Sequence, residues 1–344
     1  MMQKRKEYLR KLMKKRDLDI ILVFSDLNNY SYDTALNGMK PGLFHYYYIT
    51  LMGEGFLEID YLVEELKSQT SLKIISFKED MPENNLAKLI KGLNVGIIGN
   101  APFWHLKDIQ NSICDLNKEA KNILLIKDDF EIDKIRSSAK EINNILKKFN
   151  LSKFIGKTEK EIGNFLSQSI MKNSEGLAFP VCVTSMKDIK KTTASLPSKR
   201  KISEKDIIII DAGVVKEGFY SDCTRMYFLN YNDAEDNYVK LVNAHKRVIS
   251  KIKPGLYLKE IAKLYKEELK REKLPEETLE IEDLGHSIGF YVHEHPMFYS
   301  SEQENIKLEE NMIITLEPEI KFSEYRLRIE DMILVKEKSE ILTS

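Results

Sequence analysis

Asp211 and Asp222 lie on the two arms of one β-like segment, Ile207-Ile-Ile-Ile-Asp211-Ala-Gly-Val-Val-Lys-Glu-Gly-Phe-Tyr-Ser-Asp222-Cys-Thr-Arg-Met-Tyr-Phe228. Two β-branched or aromatic runs flank Lys216-Glu217-Gly218, which reads as a hairpin turn. A loop centred between Lys216 and Glu217 sets the two aspartates directly opposite each other, with Cβ atoms ~5 Å apart. A three-residue loop using Gly218 puts them on opposite faces unless a bulge restores the register. Two anions that close destabilise a hairpin unless a positive charge lies between them.

The pattern recurs towards the C-terminus. Met312-Ile-Ile-Thr-Leu-Glu317 and Arg326-Leu-Arg-Ile-Glu330-Asp-Met-Ile-Leu-Val335 flank a polar turn, and the midpoint of Glu317 and Glu330 falls between Ser323 and Glu324. Between the hairpins, Gly285-His-Ser-Ile-Gly-Phe-Tyr-Val-His-Glu-His-Pro296 supplies three of the six histidines, His286, His293 and His295. Four hard oxygen donors and an imidazole suit a pair of divalent ions such as Mn²⁺, Co²⁺, Fe²⁺ or Zn²⁺. A single strand carboxylate usually faces solvent or pairs with a cation, and Arg225 and Arg328 are available for that. Four uncompensated carboxylates inside apolar strands are prohibitive, so two symmetric acid pairs beside a histidine cluster favour metal.

Gly285-His-Ser287-Ile-Gly289 also satisfies the pattern of a serine-hydrolase elbow, which needs a helix after the serine. The residues that follow are aromatic and β-branched and run into Pro296, so the match is read as accidental. Asn94-Val-Gly-Ile-Ile-Gly-Asn100 lacks the glycine spacing of a dinucleotide loop and reads as a strand ending in a turn.

The elements that position these groups fall into two parts. An amphipathic basic helix with Leu9, Leu12 and Met13 on its buried side opens the chain, followed by strands over 19–24, 45–51, 56–62, 71–77 and 94–98 and a helical pattern over 86–93. This predicts an α/β domain over 1–126. At Ile126-Lys-Asp-Asp-Phe130 an apolar strand gives way to Asp128 or Asp129 as the N-cap of a helix running towards Phe149, which opens a second domain over 127–344. Thr158 and Glu161 have the spacing of a capping box for a helix over 159–172. A strand over 179–183 and a lysine-rich loop over 186–205 follow. Helices over 233–252 and 258–273 are joined at Lys253-Pro254-Gly255, and the remainder is strand-like.

Composition limits the rest. The 344 residues carry 53 Lys+Arg against 54 Asp+Glu, a formal charge of −1, so no bulk field holds the chain on nucleic acid or an anionic membrane. Cys114, Cys182 and Cys223 are an odd number without a CxxC spacing, which argues against a disulfide framework and for a cytoplasmic setting. No apolar run approaches the ~20 residues of a membrane helix.

The order Asp-Ala-Gly…Gly-Phe-Tyr-Ser-Asp-Cys-Thr-Arg, Gly-His-Ser-Ile-Gly…Val-His-Glu-His-Pro, Leu-Glu-Pro and Arg-Ile-Glu-Asp resembles the pita-bread metallopeptidases, in particular the Xaa-Pro dipeptidase (prolidase) and aminopeptidase P branch. The resemblance implies an α/β (α+β) chain: a creatinase-type N-terminal α/β domain, then a catalytic domain with a curved antiparallel sheet and flanking helices. It implies two divalent metal ions on Asp211, Asp222, His286, Glu317 and Glu330, with Asp222 and Glu330 bridging. It further implies a homodimer and, as substrate, a short peptide cut before proline by a metal-activated hydroxide. Glu317 is then the proton acceptor as well as a ligand. His293 matches the histidine that bonds substrate or the tetrahedral intermediate, Arg328 orients the carboxylate network or a substrate terminus, and His295 is structural. The sequence departs from the family at Ala194, where a substrate-contacting histidine is usual, and at Ser287 and Glu319, where glycine is usual. Ala194 and the lysine-rich loop motivate one alternative, a metal-binding protein of this fold with lost or altered peptidase activity; a creatinase-like, metal-free C–N hydrolase is a further one, against which the full ligand set argues.

Overall fold

The computed structural model describes residues 1–25, 31–37, 45–59, 67, 70–77, 86, 90–101, 113–186, 195–229, 233–280, 284–298 and 306–344. The chain divides into two compact units, Met1–Leu124 and Leu125–Ser344.

The first unit is a six-stranded mixed sheet. Strands β1 (Ile20–Ser25), β2 (His45–Ile49), β3 (Glu54–Ile59), β4 (Lys73–Phe77), β5 (Val95–Ile98) and β6 (Ile113–Asp115) lie in the order β4-β3-β2-β1-β5-β6. The β1–β2 and β2–β3 pairs are antiparallel and the other three are parallel. Every residue of β1 and β5 is buried, as expected of central strands covered on both faces. Helix α1 (Met2–Arg16) buries Leu9, Leu12 and Met13 and leaves most of its lysines exposed. Helix α2 covers Ser31–Asn37. Of the helical pattern expected over 86–93, Leu86 is helical and the Ile90 N–H donates to its carbonyl at 3.1 Å, residues 90–92 form a turn, and 87–89 lie outside the described residues.

The segment ahead of the second unit corrects one expectation. Residues 123–125 belong to helix α3 (Asn117–Leu125), and Ile126 alone makes a bridge, to Met312. Leu116, Ala120, Ile123 and Leu124 are the buried residues there. Their spacing of four, seven and eight is a helical stripe that overrides the β propensity of the short apolar run.

In the second unit, α4 (Asp129–Lys148) starts at Asp128 and α5 (Glu159–Asn173) at Thr158, each closed by a capping box with Glu131 or Glu161. Helices α6 (Asp233–Ile249) and α7 (Leu258–Arg271) meet the expected positions to within a few residues. Strands β7 (Gly176–Leu177), β8 (Cys182–Met186), β9 (Ile207–Ala212), β10 (Val214–Lys216), β11 (Phe219–Tyr220) and β12 (Cys223–Phe228) form two three-stranded sheets, β11-β10-β7 and β12-β9-β8. Strands β13 (His286–Ser287), β14 (Glu294–Met297), β15 (Ile313–Leu316), β18 (Asp331–Leu334) and β19 (Glu340–Ile341) make a five-stranded antiparallel sheet, and β16 (Glu319–Lys321) pairs with β17 (Arg326–Arg328).

The run Ile207–Ile210 shows how the core supports the site. Ile208 and Ile210 pack with Ile142, Leu146, Ile162 and Leu166 of α4 and α5. Ile207 and Ile209 pack with Leu241, Val248, Ile261 and Tyr265 of α6 and α7. A strand covered on both faces is uniformly apolar rather than alternating. Each of these side chains contributes on the order of 2 kcal/mol by burial, which offsets the cost of burying Asp211 in the same strand.

Candidate metal centre

Both acid pairs fall where a long hairpin passes from one sheet to another. In the first hairpin the turn is Glu217-Gly218, with φ of 53° and 80° and Lys216 opposite Phe219. Positive φ at both central residues is the two-residue turn that matches strand twist. The loop is therefore one residue further along than the centring between Lys216 and Glu217 assumed, and Asp211 faces Thr224 rather than Asp222. A shift of two positions preserves the face, so Asp222 stays on the same side as a diagonal neighbour.

The second hairpin keeps its expected register. Leu316 pairs with Asp331 and Glu319 with Arg328, so Glu317 and Glu330 occupy the gap between the two sheets and face each other. His286 enters from β13, its backbone N–H bonded to Thr315 Oγ1 at 3.0 Å. The approach is close enough to require glycine before it: a Cβ on Gly285 would stand 2.1 Å from the Thr315 carbonyl oxygen.

Asp211, Asp222, His286, Glu317 and Glu330 are all buried, with 1–8% of their surface exposed. One ligand atom each from Asp211, Asp222 and Glu330 lies within 4.8 Å of the others, and the same holds for His286, Glu317 and Glu330 and for Asp222, His286 and His293. His286 Nδ1 is 3.1 Å from the Ser287 carbonyl oxygen, which can only accept, so Nδ1 carries the hydrogen. The Nε2 lone pair then faces Asp222 Oδ2 at 3.7 Å and Glu317 Oε1 at 3.6 Å. Two donors sharing one cation at about 2.0–2.2 Å stand about 3–3.5 Å apart, close to these spacings, whereas a direct hydrogen bond is shorter.

The electrostatics agree with this geometry. Burial pushes the Glu330 carboxyl up to about 8, with the Asp211 charge adding to it. Asp222 is raised well above the usual range, first by burial and then by Glu330 and Asp211. Asp211 is raised by burial against the pull of Arg328. His286 is pushed down to about 3, chiefly by burial, and is neutral near pH 7. Asp211 Oδ1, Asp222 Oδ1 and Glu330 Oε1 are buried without a hydrogen-bond partner among the described residues. Orphaned acceptor oxygens on three carboxylates that approach one another are costly in a protein interior and fit a site for divalent metal.

Arg328 forms an ion pair with Glu317 Oε2 and approaches Glu319 Oε2 at 3.9 Å. His293 is exposed and stands edge-on to His286 with ring centres 4.6 Å apart. Ser287 is buried, donates to the Ile313 carbonyl at 3.2 Å and lies in a strand with no helix after it, as a chance match to the hydrolase elbow requires. Ala194 lies outside the described residues, and Glu319 pairs with Arg326 at 2.6 Å.

Several further groups support these side chains, and of them only Arg225 stands out in the sequence, as an available partner for a strand carboxylate. Thr224 Oγ1 donates to Glu330 Oε2 at 2.8 Å, and Arg225 donates to the Glu330 carbonyl oxygen at 2.6 Å. Arg225 also pairs with Asp331 Oδ1 at 2.6 Å, and Asp331 Oδ2 lies 3.2 Å from His245 Nε2. Arg225 thus serves Asp331 and the backbone of Glu330, not the opposed aspartates. Lys127 and Glu294 form an ion pair with no more than 1% of either side chain exposed.

Residues 133–337 match the family model described as metallopeptidase family M24. The chain belongs to metallopeptidase family M24. It is 32% identical over 292 residues to an uncharacterised peptidase of Methanocaldococcus jannaschii, covering 82% of this chain and 78% of that one. A Xaa-Pro dipeptidase of Pyrococcus furiosus is 25% identical over 349 residues, 98% of this chain and 96% of that one. Among solved structures, a Xaa-Pro dipeptidase from Bacillus anthracis superposes with a TM-score of 0.87 at 23% identity, covering all of this chain and 98% of that one. This M24 chain therefore has the pita-bread prolidase fold and the activity class of a metal-dependent peptidase.

Proposed function

We propose that this M24 chain hydrolyses the peptide bond preceding proline in short peptides, using two divalent ions on Asp211, Asp222, His286, Glu317 and Glu330. The observation that carries the reading is the convergence of those five buried side chains with three carboxylate oxygens left without partners. Similarity to a Xaa-Pro dipeptidase over nearly the full length of both chains supports the substrate class.

Two divalent ions in such a site supply an acidified water and a Lewis acid at the scissile carbonyl. Everything else falls to side chains. Asp222 and Glu330 are the carboxylates that each belong to two of the three donor clusters and would be the ones shared between the ions, with Thr224 fixing one oxygen of Glu330. Arg328 holds Glu317 Oε2 and leaves Oε1 facing His286, so Glu317 is oriented to accept the attacking water's proton and pass it to the departing proline nitrogen. His293, exposed and edge-on to the buried His286, would donate a hydrogen bond to the substrate carbonyl as it becomes tetrahedral.

Replacing Asp222 with Asn removes a bridging charge with little change of shape. Hydrolysis of a dipeptide such as Ala-Pro by the Mn²⁺-loaded variant should fall by at least about 10³-fold. Unchanged cleavage would sink the assignment. A wild-type protein that binds two metal ions yet leaves Xaa-Pro peptides intact would support a binding protein of this fold instead.

A further inference from the structure

We propose that the buried Lys127–Glu294 ion pair is a positioning device that sets the loop carrying His286 and His293, with Lys127 acting through Glu294. The part concerning His293 rests on the peptidase reading above.

The backbone of Lys127 is fixed on both sides. Its N–H donates to the Asn311 carbonyl at 3.0 Å, and the next residue, Asp128, is locked in the capping box of α4. From that anchor the side chain reaches Glu294 Oε2 at 2.6 Å and lies 5.6 Å from the centre of the Phe290 ring. The other carboxylate oxygen, Oε1, accepts the backbone N–H of Phe290 at 2.6 Å and of Tyr291 at 3.1 Å. Glu294 is thus the acceptor on which the segment between the two histidines folds back, and Lys127 neutralises and aims it. Bonds to an ionised acceptor are about twice as strong as neutral ones.

The loop is shaped to admit the lysine. A Cβ on Gly289 would stand 2.7 Å from Lys127 Cε and 2.8 Å from Ile135 Cδ1, so a side chain there would have to displace the lysine or Ile135. The Gly289 carbonyl then accepts the Tyr220 N–H at 2.8 Å, which ties the same loop to the hairpin bearing Asp222. His293 directly precedes Glu294 and follows Tyr291 by two residues, so its backbone lies inside the segment that the carboxylate holds at Phe290 and Tyr291. None of the five expected metal donors is contributed by Lys127 or Glu294, and the pair acts on placement rather than on chemistry.

The test compares wild type, Lys127→Met and the double variant Lys127→Met/Glu294→Gln. The single variant leaves a buried carboxylate unpaired and should lose thermal stability. The double variant has no unpaired charge and should recover that loss while binding Mn²⁺ with a Kd within about threefold of wild type. Its kcat/KM for Ala-Pro should nevertheless remain about 10- to 100-fold down, and amide exchange of the 286–297 peptide should be faster than in wild type. Recovery of kcat/KM and of exchange protection together with Tm would reduce the pair to a structural filler and overturn the proposal. A double variant that fails to recover Tm would overturn the pairing itself. Should wild type prove inert on Xaa-Pro peptides, the peptidase reading fails, and the exchange contrast still decides whether the pair holds the loop: faster exchange supports it and unchanged exchange refutes it.

Discussion

Replacing Glu330 with Gln separates what this carboxylate costs the fold from what it does for metal. Glu330 is buried, and its carboxyl is raised from 4.5 to about 8. For a carboxyl whose folded value is raised, the metal-free protein loses stability as pH rises from about 4.5 to about 8, because the unfolded chain ionises where the folded one resists. At pH 7 that is about 2.5 units of penalty, or about 3 kcal/mol. Glutamine pays none of it and can still accept from Thr224 Oγ1, which now bonds Glu330 Oε2 at 2.8 Å. In EDTA at pH 7, Glu330→Gln should therefore melt higher than wild type by about 5–10 °C, given a few degrees per kcal/mol in a unit of this size. With saturating Mn²⁺ the order should reverse, since wild type gains binding energy that the variant has lost. Differential scanning calorimetry in EDTA and in Mn²⁺ at pH 5, 6, 7 and 8 reads both effects, and the wild-type gain from metal should grow with pH as protons leave the site. A variant that melts below wild type without metal, or equal Mn²⁺ stabilisation of both proteins, would refute the reasoning.

Other perturbations follow from the same geometry. Arg328→Met releases Glu317 Oε2 and should lower kcat/KM for Xaa-Pro dipeptides by about 10²-fold, with Arg328→Lys recovering only part because a point charge does not reproduce the guanidinium's fixed geometry; steady-state kinetics checks it. Burial alone would raise Asp331, but Arg225, His245 and Thr343 bring it down to about 2. Its contribution is therefore held above about pH 3.8 and lost as pH falls towards 2. Asp331→Asn should cost about 2–3 kcal/mol in denaturant unfolding at pH 7 and much less at pH 2.5. Ser287→Ala removes a buried hydroxyl that bonds Ile313, so it should cost on the order of 1 kcal/mol and leave peptide hydrolysis intact, an outcome a nucleophilic serine would not permit.

The hairpins were legible because their signal is local. Runs such as Ile207–Ile210 and Ile313–Leu316 state strand directly, and the equal spacing of Glu317 and Glu330 about the turn gives a register that the flanking pairs share. The capping box at Thr158 is equally readable, since both partners lie within four residues, and the N-cap offered at Asp128 or Asp129 resolves to Asp128 with Glu131 closing a box of its own. Errors arose where two local codes competed. The turn at Glu217-Gly218 is fixed by the positive φ that glycine tolerates, a preference stronger than symmetry of the acids, and it moved the partner of Asp211 to Thr224. The run at 123–125 is apolar on a helical as well as a strand period, and the stripe from Leu116 decides it. What the sequence leaves unread is long-range: Lys127 and Glu294 are 167 positions apart, and Arg225, available in the sequence as a partner for a strand carboxylate, meets the Glu330 backbone across 105. A lysine in a run of charged residues has no feature that announces burial, and only the closed fold gives it one.

The central claim is that five converging side chains hold two divalent ions that are required for cleavage before proline. Its most direct test is a titration of metal-free protein with Mn²⁺, following initial rates of Ala-Pro hydrolysis against bound equivalents of metal. The expected result is no cleavage without metal and a plateau at two equivalents per chain, with Asp222→Asn failing to reach it. Full activity in the absence of metal, or no activity at two bound equivalents, would contradict it.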